Sequence, residues 1–158
     1  MDYIIDGYNL IFSESSLTKI MEDNPEKARN ILMEKLYVYR EYGKHKMVVV
    51  FDGKIGVVSN QKSPAGIKVV YAKKGTADTH IRKLIKTTTD PQSVTVVSSD
   101  YKDIGGLAKA CGCKYLSSQE FLHILHDFES KHKGDPEKPD NITDDEVEYW
   151  LRRFKSGD

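Results

Sequence analysis

Short apolar runs alternate with helical patterns along the first 130 residues of the chain. Runs rich in β-branched residues predict five strands, at Tyr3–Ile5, Met47–Phe51, Ile67–Tyr71, Val94–Val97 and Lys114–Leu116. Apolar residues spaced three and four apart predict helices near residues 25–42, 78–86, 101–111 and 117–128. Alternation of this kind predicts an α/β domain with three layers (α/β/α) around a mostly parallel central sheet.

Local sequence signals mark where some of these helices begin and end. Asn24 precedes Pro25, which is the preferred order of an N-cap and the first helical position, and Gly43 is a typical helix stop. Ser117 and Glu120 have the spacing of a capping box. The Gly-, Ser- and Pro-containing stretch from Gly53 to Gly66 predicts a long loop.

The organisation changes after the last of these helices. We predict one compact domain over residues 1–129, a polar linker over 130–142 with one Gly and two Pro, and an amphipathic helix over 143–158. The apolar stripe of that helix is Val147, Trp150, Leu151 and Phe154. Two interpretations stay open: the stripe docks on the domain, which we favour because an exposed stripe invites aggregation, or it binds a partner.

Composition excludes several classes of protein. The 158 residues contain no apolar run near the roughly 20 residues that span a bilayer, and acid stands where a signal peptide needs base. Cys111 and Cys113 form neither a disulfide framework nor a zinc motif, so we expect reduced thiols in a cytoplasmic protein without membrane contact. No glycine-rich dinucleotide motif or P-loop is present, and no nucleotide cofactor is expected.

The chain has no net charge, but its charge is segregated. Residues 62–86 contain seven Lys or Arg and one acid, whereas residues 135–148 contain seven acids and one Lys. A solvated surface is the ordinary reason for such runs. A basic stretch with an embedded aspartate, Asp78, also fits a surface that attracts a polyanion towards an acidic site.

Three predicted strands lead into an aspartate: Asp6, Asp52 and Asp100. Asp78 opens a predicted helix. The carboxyl ends of parallel strands meet at one edge of the sheet, where ligands bind, so these four carboxylates are expected to cluster there. Clustered carboxylates repel one another unless a cation neutralises them, and an all-oxygen set selects Mg²⁺, with Mn²⁺ as an alternative.

The acidic and histidine side chains also allow alternative roles. Any single one of the four aspartates could be the N-cap of the next helix, and only their common edge favours a site. A receiver-like signalling domain needs paired acids after the first strand, but Asp2 and Asp6 stand on either side of it. His123 and His126 have helical metal-ligand spacing without a third His or Cys nearby, which favours a surface position over a zinc site.

The residues around the four aspartates resemble the NYN domain family, in its YacP-like branch, within the PIN-like nucleases. The matching segments are Ile4–Asn9, Val49–Gly53, Thr76–Ile81, Val96–Tyr101 and Leu116–Phe121. Order and spacing agree over residues 1–128. The resemblance implies a PIN-like fold and a Mg²⁺-dependent endoribonuclease, and makes ribosome-bound RNA a candidate substrate, because some relatives associate with translation. Gly75 stands where the family often has Glu.

The acidic edge, the basic stretch and the resemblance together lead us to expect roles for individual residues. Asp6, Asp78 and Asp100 would hold the metal ion, Asp52 would be a further ligand or would orient one, and Asn9 would bind the phosphate or a metal-bound water. The residues expected to contact RNA are Lys68, Lys73, Lys74, Arg82 and Lys83, with Tyr101 or Tyr71 for stacking. The alternative is an RNA-binding NYN-type module that lacks activity, which Gly75 supports.

Overall fold

The computed structural model describes residues 2–53, 66–72 and 76–133, without the side chains of the last two. Several sequence predictions lie outside these residues: most of the loop between Gly53 and Gly66, the basic pair Lys73 and Lys74, Gly75, and the C-terminal helix with its apolar stripe.

A five-stranded, fully parallel sheet forms the centre of the described chain, in the order β3-β2-β1-β4-β5. Its strands are β1 (Asp2–Asp6), β2 (Lys46–Asp52), β3 (Ile67–Ala72), β4 (Val94–Val97) and β5 (Lys114–Leu116). The strand order reverses at β1, which pairs with β2 on one side and β4 on the other. The predicted strands and the α/β class are confirmed.

Helices cover both faces of this sheet. They are α1 (Gly7–Phe12), α2 (Ser15–Asp23), α3 (Pro25–Gly43), α4 (Ala77–Thr87), α5 (Gly106–Ala110) and α6 (Ser118–Lys133), with a single 3₁₀ turn at Pro91–Ser93. The helices α1, α2, α3 and α6 form one outer layer, and α4 and α5 form the other. No helix within the described ranges is long and apolar enough to cross a membrane.

Alternation along the strands divides the core into two halves. Ile5 and Val49 face the larger half, whereas their neighbours Ile4 and Val50 face the smaller one, because successive strand residues point to opposite faces. All four are at most 6% exposed. A strand that is buried on both faces must be apolar at nearly every position, which is the pattern seen in the sequence.

The predicted caps hold with one shift. The Asn24 side chain accepts the Lys27 backbone N–H at 3.1 Å at the start of α3. Ser117 and Glu120 form the reciprocal capping box, with hydrogen bonds of 2.9 and 3.1 Å. The helix α3 runs through Gly43, and Lys44 takes the left-handed conformation (φ 52°), so the stop falls one residue later than predicted.

Three features differ from the prediction. The helices α1 and α2 were not predicted, because α1 begins directly where β1 ends and leaves no polar break in the sequence. The expected helix at 101–111 begins with a wider turn at Tyr101–Gly105, in which the Gly105 N–H bonds to the carbonyl of Asp100, and becomes α-helical at Gly106. The helix α6 continues to Lys133, four residues into the predicted linker.

Candidate active site

The carboxyl edge of the sheet carries the aspartates singled out in the sequence. Asp6 is the last residue of β1, Asp52 is the last residue of β2, and Asp100 follows the end of β4. Asp78 lies in the first turn of α4. Since the strand order reverses at β1, Asp6 and Asp100 lie at the point where doubly wound sheets bind their ligands.

Asp6 is the most buried of the four, with 3% of its surface exposed. The pKa of its carboxyl group is raised from 3.8 to about 6, chiefly by burial and also by the charges of Asp78 and Asp52, while hydrogen bonds from Asn9 oppose the shift. Asp6 Oδ1 accepts the Asn9 backbone N–H at 3.3 Å, and Oδ2 accepts the Asn9 amide at 2.9 Å. A buried carboxyl group that interacts with two other acids is the electrostatic signature of a functional site.

Asp78 interacts electrostatically with the other three aspartates. Partial burial raises the pKa of its carboxyl, and the charges of Asp100, Asp103 and Asp52 raise it further. Arg82, one turn along α4, lowers the pKa of Asp78. Asp78 also raises the pKa of Asp6. The structure therefore brings all four predicted aspartates into one interacting group, with Asp78 interacting with each of the others.

N-capping explains part of this arrangement. Asp6 caps α1, and Asp100 Oδ1 accepts the Asp103 backbone N–H at 3.0 Å at the start of the wide turn. The cap of α4 is Thr76, whose hydroxyl accepts the Thr79 N–H at 3.4 Å, and not Asp78. Capping and a shared site thus coexist at Asp6 and Asp100, while capping does not account for Asp78.

Asn9 holds two strand ends together. Its amide nitrogen donates to Asp6, and its amide oxygen accepts the Ser99 backbone N–H at 3.1 Å and the Ser99 hydroxyl. Ser98 is fully buried, and its hydroxyl accepts the Asp100 backbone N–H at 3.1 Å. The sequence predicts that Asn9 binds phosphate or a metal-bound water. The contacts described here make it a positioning residue, and its contact with phosphate stays a prediction.

The donor set can be compared with what a hard cation needs. No three His, Cys, Asp or Glu side chains in residues 2–53, 66–72 and 76–131 are close enough to form a ready-made metal cage. Mg²⁺ does not require one, because it keeps several waters and is commonly held by one or two carboxylates. Mutually repelling carboxylates with raised pKa values, as at Asp6 and Asp78, fit such an ion.

The predicted RNA contacts are placed unevenly. Lys68 and Lys83 are exposed, and Arg82 forms a 3.5 Å ion pair with Asp103 next to Asp78. Tyr101 is 65% exposed directly after Asp100. Tyr71, by contrast, is half-buried and stacks on Phe51 with the ring centroids 5.6 Å apart, so it serves the core.

The two histidines singled out in the sequence lie on the surface. His123 is exposed, and the exposed His126 has its Nε2 atom 3.3 Å from Glu14 Oε1, which agrees with the surface position favoured by the sequence.

Arg29 was not predicted as a core residue, although it is fully buried and donates a 3.1 Å hydrogen bond to the Tyr8 hydroxyl. Its spacing from the buried Leu32 on the same helix was the available signal.

The sheet order and the acidic carboxyl edge are those expected of a PIN-like nuclease fold. A profile of the YacP-like NYN domain matches residues 3–154, and the chain belongs to that family. The match confirms the resemblance found in the sequence, and it extends past residue 128, where the recognisable motifs ended.

Known proteins of similar sequence and structure agree with this assignment. The uncharacterized protein YacP of Bacillus subtilis (strain 168) is 26% identical over 166 residues, covering 98% of this chain and 96% of its own. The crystal structure of Rae1 (YacP) from Bacillus subtilis superposes with a TM-score of 0.74 at 23% identity, over 99% of this chain and 83% of that one. The structure of its W164L mutant gives 0.69 at 25% identity, over 84% and 79%.

Proposed function

We propose that this protein is a metal-dependent endoribonuclease that hydrolyses RNA phosphodiester bonds with Mg²⁺, or Mn²⁺ in its place. The observation that carries the proposal is the interaction of Asp78 with Asp6, Asp52 and Asp100 at the reversal point of a PIN-like sheet. Such a set of acids costs folding energy through burial and repulsion, and a bound cation offsets that cost.

The residues of the site are proposed to have different roles. Asp6, Asp78 and Asp100 would hold the ion, with Asp52 as a further ligand or as a group that orients one. A divalent ion in such a site supplies an activated water and offsets charge on the scissile phosphate. Asn9 fixes the orientation of the Asp6 carboxylate through two hydrogen bonds.

Binding of the RNA backbone falls to cations beside the acids. Arg82 already lies close enough to lower the pKa of Asp78, and its ion pair with Asp103 is loose and exposed, so a phosphate can compete for the guanidinium. Lys68 and Lys83 are exposed, and they are proposed to contact the RNA backbone further from the acids. Lys73 and Lys74 belong to the same basic stretch of sequence and complete the predicted RNA path.

The substrate class rests on family membership. Homologous NYN nucleases act on RNA, which favours RNA over DNA for this chain. We propose messenger RNA in a translation context, including ribosome-bound RNA, as the natural substrate, and the cytoplasm as the place of action. Both proposals derive from the family resemblance and not from a contact in the structure.

The experiment compares cleavage of end-labelled RNA by purified protein in Mg²⁺ and in excess chelator. Wild type is expected to cleave internal bonds in Mg²⁺ only, and Asp78→Asn to lose cleavage by at least about a hundredfold. Asp90→Asn is the matched control, because Asp90 is exposed and precedes β4 at the opposite edge of the sheet. Undiminished cleavage in chelator, or by Asp78→Asn, would refute the mechanism.

The second candidate is an RNA-binding module without activity. Gly75, which replaces a frequent family Glu, favours it. This candidate predicts salt-dependent RNA binding by wild type with no products in Mg²⁺ or Mn²⁺. Internal cleavage that disappears in Asp78→Asn would exclude it.

A further inference from the structure

An exposed aromatic ring lies beside the acidic group. Among the described residues, the large hydrophobic side chains that are exposed are Phe12, at 52%, and Tyr101, at 65%. Tyr101 follows Asp100 directly, so its ring projects from the backbone that carries one of the four aspartates. An exposed aromatic ring next to a charged site offers a face on which a nucleic-acid base can stack.

The backbone beneath Tyr101 is fixed in place. The Tyr101 N–H donates to the Ser99 carbonyl at 3.1 Å, and the Gly105 N–H returns to the Asp100 carbonyl at 3.0 Å, which closes the wide turn. The Tyr115 hydroxyl donates to the Ser98 carbonyl at 2.6 Å and ties the same segment to β5. The ring therefore stands on a turn that hydrogen bonds hold on both sides.

The ring also has defined neighbours. Lys109 Nζ lies 5.0 Å from the ring centroid, in the position of a cation–π contact. Tyr115 packs against Tyr101 at 6.2 Å with an angle of 61° between the rings. These contacts orient the Tyr101 ring and place a positive charge beside it, yet most of the ring stays open to solvent.

An oriented aromatic ring with an adjacent cation is how proteins bind an unpaired base and its phosphate. We propose that Tyr101 and Lys109 form a subsite for one unpaired base next to the scissile phosphate, so that the substrate must be single-stranded there. Bases inside a duplex already stack on both faces and cannot use the ring. This proposal rests on the proposed function and deepens it by naming the form of RNA that the site accepts.

The test measures binding in the Asp78→Asn background, where RNA stays intact. The probes are a fluorescein-labelled ten-nucleotide single strand, the same strand in a perfect duplex, and a series of single strands with one abasic position each. Tyr101→Ala should weaken single-strand binding about tenfold or more, Tyr101→Trp should retain it, and the duplex affinity should change less than about twofold.

Two controls separate the subsite from general effects. Phe12→Ala removes an aromatic side chain of similar exposure from the end of α1, outside the wide turn in sequence, and should leave single-strand binding unchanged. Lys109→Gln should weaken binding about twofold to fivefold, whereas Lys131→Gln on α6 should not. One abasic position should cost as much as Tyr101→Ala, and combining the two should cost nothing further, because both remove the same stacking contact.

Specific results would overturn the subsite. Tyr101→Ala could weaken the binding of single strand and duplex equally, or could have the same effect as Phe12→Ala. Its loss of affinity could be additive with that of every abasic position, or neither RNA could bind at all. The proposed nuclease function is tested separately, by measuring RNA cleavage by wild type in Mg²⁺. If wild type does not cleave in Mg²⁺ while the abasic pattern depends on Tyr101, the nuclease proposal fails and the base subsite stands.

Discussion

Asn9 Oδ1 accepts the Ser99 backbone N–H at 3.1 Å, a contact across 90 positions of sequence that ties the end of β1 to the segment after β4. The nitrogen of the same amide donates to Asp6 Oδ2 at 2.9 Å. One side chain thus fixes the carboxylate of one strand relative to the backbone that leads to Asp100 on the next. The spacing of the aspartates depends on this amide.

The first prediction concerns that amide. Asn9→Ala removes the hydrogen bonds to the exposed Ser99 N–H and to one part-buried Asp6 oxygen, so we expect a loss of about 1–2 kcal/mol in the free energy of unfolding and a large loss of cleavage. Asn24→Ala is the control, because it removes the N-cap of α3 and costs about 1 kcal/mol. Urea unfolding should show a loss of stability in Asn24→Ala, whereas its RNA cleavage should equal that of wild type. Full activity in Asn9→Ala would mean that Asn9 does not position the site.

The second prediction separates the two roles of Asp6. Both Asp6→Asn and Asp6→Ala should abolish cleavage, but Asn is as good an N-cap as Asp, whereas Ala costs about 0.5–2 kcal/mol at the start of α1. Mg²⁺ should raise the melting temperature of wild type more than that of Asp6→Asn, because the ion binds the folded protein through this carboxylate. An identical Mg²⁺-dependent shift in both proteins would remove Asp6 from the ion site.

The third prediction concerns pH. Burial, with Asp78 and Asp52, raises the pKa of Asp6 from 3.8 to about 6, so the folded protein holds this proton more tightly than the unfolded chain does. The resulting stabilisation is complete below about pH 4 and is lost as the pH rises through about 6. It amounts to about 3 kcal/mol, since one pKa unit corresponds to about 1.4 kcal/mol.

The measurement is urea unfolding of wild type and Asp6→Asn between pH 4 and 8 in chelator. Wild type should lose stability relative to Asp6→Asn as the pH rises, because only wild type acquires the buried charge. Asp78 titrates in both proteins, but its repulsion with Asp6 exists in wild type alone and adds to the loss of stability expected there. A pH-independent difference between the two proteins would contradict the raised pKa of Asp6.

The fourth prediction tests Arg82 as the phosphate contact nearest the acids. Arg82→Gln should lower cleavage and reduce the salt dependence of single-strand binding by about 0.7 in the logarithmic slope, the share of one phosphate contact. It should also raise the pKa of Asp78 further, because the guanidinium now lowers it. Lys46→Gln is the control, since Lys46 is exposed at the start of β2, at the opposite edge of the sheet. Equal salt slopes in the two variants would exclude Arg82.

The sequence predicted the parts of the fold whose signal is local. The strand at Met47–Phe51 is apolar at every position, and the caps at Asn24 and Ser117 are short motifs that form regardless of the distant chain. The helix α1 escaped prediction because six residues are too few to show a period. The wide turn at Tyr101–Gly105 was missed because its residues have the apolar spacing of an ordinary helix.

The candidate site was predicted from a tertiary rule and not from local pattern. Aspartates at the ends of parallel strands must share an edge, which gave Asp6, Asp52 and Asp100 without knowledge of the strand order. The roles of Asn9 and Arg29 could not be obtained in this way, since their partners Ser99 and Tyr8 are chosen by packing. Hydrogen bonds across long separations carry no signal in a single sequence.

The position of β1 in the sheet has a consequence for how the protein is made. The central strand β1 precedes its partners β2 and β4 in the sequence, so it leaves the ribosome before either of them. At about 5–20 residues per second, Asp100 follows Asp6 by roughly 5 to 20 s of synthesis. Until then the nascent chain carries three of the four acids beside a strand that lacks one neighbour. An activity that needs all four aspartates therefore cannot begin before Asp100 has been synthesised and β4 has paired with β1.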